Sequence, residues 1–308
     1  MGLFDNVLDW AADKVQTVTG EKERRELVQS YKNKYLEFKE CVEEYIDAIN
    51  EKIQEFNLLI KKLNQYRASK VSSNIVLLHD FLGKFGNIKL IGEYAEEKTS
   101  TELVVPEKQF ENKENYISDI DWSKDDVFIN SFLLSPIGMK MKTRKQNLSM
   151  REQLGEFELE INETINQFEI KKYNVQKDQE VALLYMECIT VISEYISKYI
   201  LPELEVVEAF FQSLTIKNEI IAGNELQELT FTNDISFLKD TPYERHFHFV
   251  RNAFMFYVIS CRIFDTAVLT NLINGDTSDN DLTTLQDNKK VLLEQKNNVN
   301  KYLTFIRG

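Results

Sequence analysis

The chain has 308 residues, 43% of them hydrophobic and 11% aromatic, so it carries enough apolar surface to fold and does not belong to the disordered class. Its 10 Gly and 4 Pro are too few for the many turns of a β-sandwich or β-barrel, and they predict an all-α protein with long helices. A formal net charge of −13 disfavours bulk binding to nucleic acid.

The first predicted element is an amphipathic helix within residues 1–20. Its candidate contact residues are Leu3, Phe4, Val7, Leu8 and Trp10. This apolar wedge resembles the membrane-inserting first helix of the PspA and ESCRT-III class, which implies contact with a membrane surface. The opposite face carries Asp5, Asp9 and Asp13, which instead favours docking onto the chain's own bundle or a partner protein's groove. Because no signal peptide is recognisable, we expect a cytoplasmic protein, with peripheral membrane binding as the alternative.

Residues 21–92 are predicted to form a long helix followed by a short one. The long helix, over 21–67, keeps a seven-residue repeat with two columns, one of them Val28, Tyr35, Val42, Ile49, Phe56 and Leu63, the other Tyr31, Phe38, Tyr45, Lys52, Leu59 and Tyr66. Ser72 or Ser73 is predicted to cap the shorter helix, which Gly86 would end.

Residues 93–148 are predicted to be an acidic, partly irregular excursion that ends in a basic loop. The only basic block of the sequence, residues 139–145, lies here, and with Arg151 just beyond it the candidate contact residues are Lys140, Lys142, Arg144, Lys145 and Arg151. Three interpretations stay open: a solvated loop, pairing with acidic residues of the same or another subunit, and contact with a phosphate-bearing partner.

Residues 149–308 are predicted to be a helical bundle. A column from Leu154 to Ile196 recurs every seven residues, whereas its companion turns polar from Lys171 to Glu180, which predicts a solvated stretch or a break. A small β-hairpin competes with helix only over residues 224–240. An apolar helix over 242–273 is expected at the centre of the bundle, and a last helix begins near Ser278.

Few residues suggest acid–base or metal chemistry. The three histidines include His79-Asp80, which resembles the central doublet of the HD metal phosphohydrolases. His246 and His248 are distant in sequence, and their i, i+2 spacing places them on different helix faces. We therefore expect no catalytic site, no cofactor and no metal.

One stretch resembles a known family of nucleases. Arg251 and Asn252 open an apolar helix in the manner of the HEPN family of helical RNases, in which an Arg is followed a few residues later by a His. Tyr257 stands where that His is expected, so the general acid/base is missing. The resemblance covers roughly a dozen residues and implies a degenerate relative of these RNases at most.

The two heptad-patterned segments predict a fold in which long helices pack side by side in one continuous, elongated, all-α domain. This shape favours a non-catalytic interaction or scaffold protein that acts through helix surfaces and binds a protein partner, either another copy or a different protein. The alternatives are a membrane-active helical protein, remodelling or pore-forming, that uses residues 2–18 or 246–273, and a degenerate HEPN-like RNase.

Overall fold

A computed structural model describes residues 18–86, 113–118, 135–137, 150–223, 234–265 and 279–303. These ranges contain the α-helices α1 (Val18–Tyr66), α2 (Ser72–Leu82), α3 (Met150–Tyr195), α4 (Leu201–Ala222), α5 (Glu244–Phe264) and α6 (Asp279–Asn300). A first π-helix (Arg67–Val71) joins α1 to α2, and a second (Ile196–Ile200) joins α3 to α4. No β-strand occurs within the described ranges, and the prediction of an all-α fold with two long helical segments is confirmed.

The hairpin expected over 224–240 is not found in its described part. Residues 234–240 contain a short 3-10 helix (Ile235–Leu238) and an isolated bridge between Gly86 and Asp234. The Asp234 carboxylate accepts a hydrogen bond from the Ser236 main-chain N–H at 2.8 Å, which satisfies a local donor without a partner strand. Residues 224–233 lie outside the described residues.

The described residues form two compact units. Unit 1 contains residues 18–54, 113–118, 135–137 and 150–175, and unit 2 contains residues 55–86, 176–223, 234–265 and 279–303. Helices α1 and α3 each contribute residues to both units. The division into four segments and the single continuous domain expected from the sequence stay predictions.

In unit 1, α1 and α3 run parallel and pack through aromatic side chains. The ring of Tyr31 stacks on Phe157 with 5.5 Å between centroids, and further along both helices Tyr45 stacks on Phe168 at 6.0 Å. Residue numbers rise together on the two helices, which fixes their parallel direction. Buried side chains of both helices belong to one hydrophobic core in this unit, whereas the burial of their predicted seams against each other along most of their length stays a prediction.

The register between the helices of unit 1 is held by polar contacts as well. The Tyr45 hydroxyl donates a hydrogen bond to the Glu169 carboxylate at 3.1 Å, across a separation of 124 residues. Lys34 forms an ion pair with Glu158 across the same separation. A residue of α1 in this unit is therefore level with the residue of α3 that lies about 124 positions later.

The buried stripe of α1 contains the first predicted seven-residue column from Tyr35 to Leu63 but departs from the second. Its members are spaced by about 3.6 residues on average: Tyr31, Tyr35, Phe38, Val42, Ile46, Ile49, Ile53, Phe56, Ile60 and Leu63. A seven-residue repeat drifts by roughly 20° per heptad against this spacing. The predicted second column is consequently wrong beyond Phe38, where Ile46, Ile53 and Ile60 are buried in place of Tyr45, Lys52 and Leu59.

Both π-helices occur where the buried stripe takes three successive steps of four residues. The two sets are Leu63, Arg67, Val71 and Ile75 in the first case, and Ile192, Ile196, Ile200 and Leu204 in the second. Three α-helical turns contain about 11 residues, which is one fewer than three intervals of four residues require. A π turn accommodates the additional residue and keeps the buried side chains on the face that points to the core.

The helical segments are continuous at both positions where the sequence suggests an interruption. The expected cap at Ser72 or Ser73 is wrong, since the Ser73 hydroxyl donates back to the Lys70 carbonyl at 3.0 Å inside a continuous helical segment. Helix α3 is likewise unbroken through its polar stretch at 171–180. Pro202, which has no N–H to donate, lies in the first turn of α4 directly after the second π-helix.

Unit 2 encloses α5, which lies within the apolar helix expected over 242–273 but ends earlier than predicted, at Phe264. Ten of its 21 residues are buried, and it packs against α2, α6 and the 3-10 helix. Residues 266–278 lie outside the described residues. As in unit 1, the two long helical segments are parallel, since Asn74 donates to the Ser193 carbonyl at 3.1 Å and, further along both segments, Lys84 pairs with Glu208 at 3.1 Å.

Candidate functional site

The residues that resemble the HEPN motif point in different directions on α5. Arg251 is exposed, whereas Tyr257 is buried in the core of unit 2, where burial raises the pKa of its hydroxyl. The Asn252 side chain donates to the His248 carbonyl of its own helix at 2.7 Å. Six residues on a helix separate Arg251 and Tyr257 by about 240°, so α5 does not bring this pair to one site.

The histidines also lie apart from one another. His79 contacts Asp80 at 3.3 Å between Nδ1 and Oδ1, and its ring lies 5.7 Å from that of Tyr257. His248 stacks on Tyr302 at 5.2 Å between ring centroids. No group of three or more His, Cys, Asp and Glu side chains suited to a metal ion occurs in the part of the chain that the structure describes.

A buried carboxylate that the sequence analysis missed lies close to His246. Glu203, 2% exposed, follows Pro202 in the first turn of α4. Burial lowers the pKa of His246, and the charge of Glu203 acts in the opposite direction. The ring of Phe210, also on α4, lies 5.0 Å from the imidazole. Glu203 and Phe210 of α4 therefore lie near His246 of α5. In the sequence, an acidic residue inside an apolar run is the one indication of the buried carboxylate.

Unit 1 presents one enclosed and one open side. The segment 113–118 packs against both helices: the Ser118 carbonyl accepts a hydrogen bond from the Tyr35 hydroxyl of α1 at 2.7 Å, and Tyr116 meets the ring of Phe168 of α3 at 4.8 Å. The buried residues of α1 and α3 therefore belong to one core together with this segment. The positions opposite them are exposed on each of the two helices, and we call these exposed positions the open face of unit 1.

On α3, the open face carries exposed apolar side chains. Leu159, Ile170 and Tyr173 are 59%, 60% and 53% exposed and fall on one side of the helix, opposite the buried Phe157 and Phe168. The exposed residues Asn162 and Asn166 lie between them, and Glu163 lies at the edge. We call these three apolar residues the apolar stripe. In the sequence, the apolar stripe is indicated by apolar residues that belong to neither seven-residue column of α3.

On α1, the open face is acidic. Five exposed carboxylates follow one another in steps of three and four residues: Glu37, Glu40, Glu44, Asp47 and Glu51. Among the exposed residues of α1 from Glu26 to Glu51, none is a Lys or an Arg. We call these five carboxylates the acidic ridge. With an offset of about 124 residues between α1 and α3, the ridge lies level, along the helix axes, with residues 161–175 of α3.

Most candidate contact residues from the sequence analysis lie outside the described residues. This holds for Leu3, Phe4, Val7, Leu8 and Trp10 of the amino-terminal helix, and for Lys140, Lys142, Arg144 and Lys145 of the basic block. Arg151 belongs to the first turn of α3.

Within the described residues, no helix has an apolar stretch long enough to cross a bilayer. Comparison with protein-family models, with curated proteins and with solved structures finds no match to this chain.

Proposed function

We propose that this chain is a non-catalytic interaction protein that binds a protein partner through the open face of unit 1. The observation that carries the proposal is the apolar stripe of Leu159, Ile170 and Tyr173. Each of these side chains is more than half exposed, and burying a large apolar side chain completely stabilises a complex by about 1.5–3 kcal/mol. Helices that present such a stripe bind the apolar face of another helix.

The charge of the open face supports a protein ligand over a bilayer. The acidic ridge belongs to the same unit as the apolar stripe, and its carboxylates are repelled by the anionic headgroups that attract membrane-binding helices. A protein partner, by contrast, supplies apolar and basic side chains in a fixed arrangement. The partner is either a different protein or a second copy of this chain.

We place this interaction in a reducing compartment such as the cytoplasm. Cys41, Cys188 and Cys261 are free thiols, and Cys188 is buried, which raises its pKa to about 11. Free, buried cysteines of this kind are typical of intracellular proteins.

Site-specific photo-crosslinking in cells that express the full chain tests the proposal. A photoreactive phenylalanine analogue at Ile170 is expected to give discrete covalent adducts, because the side chain lies in the centre of the stripe. The matched control is the same analogue at Val76, which is 53% exposed on α2 in unit 2. Equal adduct patterns at the two positions, or no adduct at Ile170, would contradict the proposed function.

A further inference from the structure

We infer that unit 2 is built on two copies of one structural repeat, and that Arg67 and Tyr185, at which the repeats differ in polarity, together fix the carboxyl end of α5. Each repeat consists of the end of a long helix, a π-helix and the helix that follows it. The first repeat is residues 56–82 and the second is residues 185–211, and both lie wholly within unit 2. The repeat is therefore independent of the partner proposed for unit 1.

The buried positions of the two repeats follow one pattern. From the first of these positions to the last, the steps are four, three, four, four, four, three and four residues in both repeats. The first repeat buries Phe56, Ile60, Leu63, Arg67, Val71, Ile75, Leu78 and Leu82, and the second buries Tyr185, Ile189, Ile192, Ile196, Ile200, Leu204, Val207 and Phe211 at the equivalent positions. All eight buried positions of the first repeat thus have a buried equivalent in the second, which buries some further residues as well.

The π-helices distinguish this match from the spacing that any two amphipathic helices share. Steps of three and four residues occur in every helix with one buried side, whereas π-helices are rare and short. Both π-helices here have five residues, and their first residues, Arg67 and Ile196, are each the fourth buried position of their repeat. A rare element at the same place in the same pattern indicates that 56–82 and 185–211 are copies of one element.

The repeats differ in polarity at two of the eight positions, and the other six pairs are apolar in both. At the first position, the second repeat adds a hydroxyl, with Tyr185 in place of Phe56. At the fourth position, the first repeat has Arg67 where the second has Ile196. All four side chains are buried, and buried polar groups are hydrogen-bonded in folded proteins. Each of the two polar side chains therefore requires an acceptor inside the core.

Both polar side chains donate to the same acceptor, the main-chain carbonyl of Phe264. Arg67 donates from Nη2 and Tyr185 from its hydroxyl, each at 3.1 Å. Although they belong to different repeats, the guanidinium carbon of Arg67 lies 5.8 Å from the centroid of the Tyr185 ring. Phe264 is the last residue of α5. The two polar changes at the repeated positions thus meet at one atom of a third element.

This shared acceptor gives α5 a defined position along the two repeats. Apolar burial is non-directional and does not by itself select one position of a helix along two similar apolar surfaces. The carbonyl groups in the last turn of a helix lack partners within that helix, and a buried carbonyl left without a donor is unfavourable. Arg67 and Tyr185 supply both donors at one level of the core, so the carboxyl end of α5 is fixed there.

Hydrogen exchange of the full chain, followed by mass spectrometry, tests the inference. The double variant Arg67→Ile, Tyr185→Phe replaces each residue by its equivalent from the other repeat. We expect this variant to fold, because Ile and Phe are already buried at these positions of the repeat. The amides of residues 261–265 are expected to exchange at least about tenfold faster, because the Phe264 carbonyl loses both donors, and those of residues 253–257 are expected to stay unchanged.

A second double variant provides the matched control. Arg245→Ile, Tyr195→Phe makes the same chemical changes at residues that also donate to main-chain carbonyls. Arg245 donates to the Tyr302 carbonyl at 3.0 Å, and Tyr195 donates to the Lys296 carbonyl at 3.1 Å. Because neither bond involves the carboxyl end of α5, exchange at residues 261–265 is expected to match that of the native protein.

The single variant Tyr185→Phe retains the guanidinium and is expected to accelerate exchange at residues 261–265 by a smaller factor, about threefold. Three results would overturn the inference: native exchange there in both the single and the double variant, equal acceleration along the whole of α5, or a double variant that does not fold. The first two would show that these donors do not fix the end of α5. The third would show that the repeats are not equivalent at the two positions.

Discussion

Arg67 donates a hydrogen bond from Nη2 to the main-chain carbonyl of Phe264 at 3.1 Å, and its guanidinium lies 4.7 Å from the centroid of the Phe264 ring. The Tyr185 hydroxyl donates to the same carbonyl at 3.1 Å. Arg67 begins the first π-helix and is only 5% exposed, whereas Phe264 is the last residue of α5. A buried cation therefore caps the carboxyl end of a core helix in unit 2 and complements its dipole.

The first prediction concerns this buried arginine. Replacing Arg67 by Ala is expected to lower the free energy of unfolding by about 3 kcal/mol, because it removes a charge-assisted hydrogen bond and the packing on Phe264. Arg245 is the matched control, since it is exposed and also donates to a main-chain carbonyl, that of Tyr302, at 3.0 Å. Arg245→Ala is expected to cost less than about 1 kcal/mol. Urea denaturation of both variants provides the measurement, and equal losses would show that burial is irrelevant here.

The second prediction concerns the first π-helix. Deleting the exposed Ser69 removes one residue of the π-helix. The interval from Leu63 to Ile75 then comprises about 11 positions, which an ordinary α-helix covers in three turns. We expect the deletion variant to melt within about 5 °C of the native protein. Deleting the exposed Glu44, in a regular part of α1, rotates one part of the buried stripe by about 100° against the other and is expected to abolish cooperative melting. Circular dichroism on heating distinguishes the two outcomes, and similar melting of both variants would show that the π turn does not absorb the extra residue.

The third prediction concerns pH. Because burial lowers the pKa of His246, the neutral imidazole is the form that the fold favours. The contribution of the neutral imidazole to the free energy of unfolding is complete above the ordinary histidine pKa of about 6.5. It declines as the pH falls below that value, because the unfolded chain then binds a proton at this residue. The charge of Glu203 reduces the effect, and that of Arg245 adds to it.

We therefore expect His246→Gln to flatten the pH dependence of the urea midpoint between about pH 7.5 and pH 5. His79→Gln, which also removes one histidine from unit 2, serves as the control. The same pH dependence in His246→Gln and in the native protein would contradict the conclusion that the fold favours the neutral form of His246.

The fourth prediction separates the apolar stripe from the core. Ile170→Ser changes a side chain that is 60% exposed and is expected to alter the free energy of unfolding by no more than about 0.5 kcal/mol. Phe168→Ala, only two positions away, removes a buried ring that stacks on Tyr45 and is expected to cost about 3–5 kcal/mol. Chemical denaturation measures both. A large loss in Ile170→Ser would mean that the stripe is part of the folded core and not a binding surface.

Much of the architecture could be predicted from the sequence because it depends on local spacing. The scarcity of Gly and Pro, together with apolar residues every three or four positions, determines that the chain forms long helices, and the predicted start of α3 at 149 lies one residue from the observed Met150. Gly223 ends α4 with a positive φ of 73°, as its position after the apolar pattern indicates. These features need only the backbone geometry of one helix.

The tertiary structure decided which of the apolar positions on each helix are enclosed. Ile170 and Phe168 are both large and apolar, and only the packing of α3 against α1 and the segment 113–118 exposes the first and buries the second. The parallel register and the burial of Arg67 likewise depend on contacts between residues more than 100 positions apart in sequence. Spacing along one helix defines its apolar positions, but burial depends on the elements that pack against it, and these are set by the whole chain.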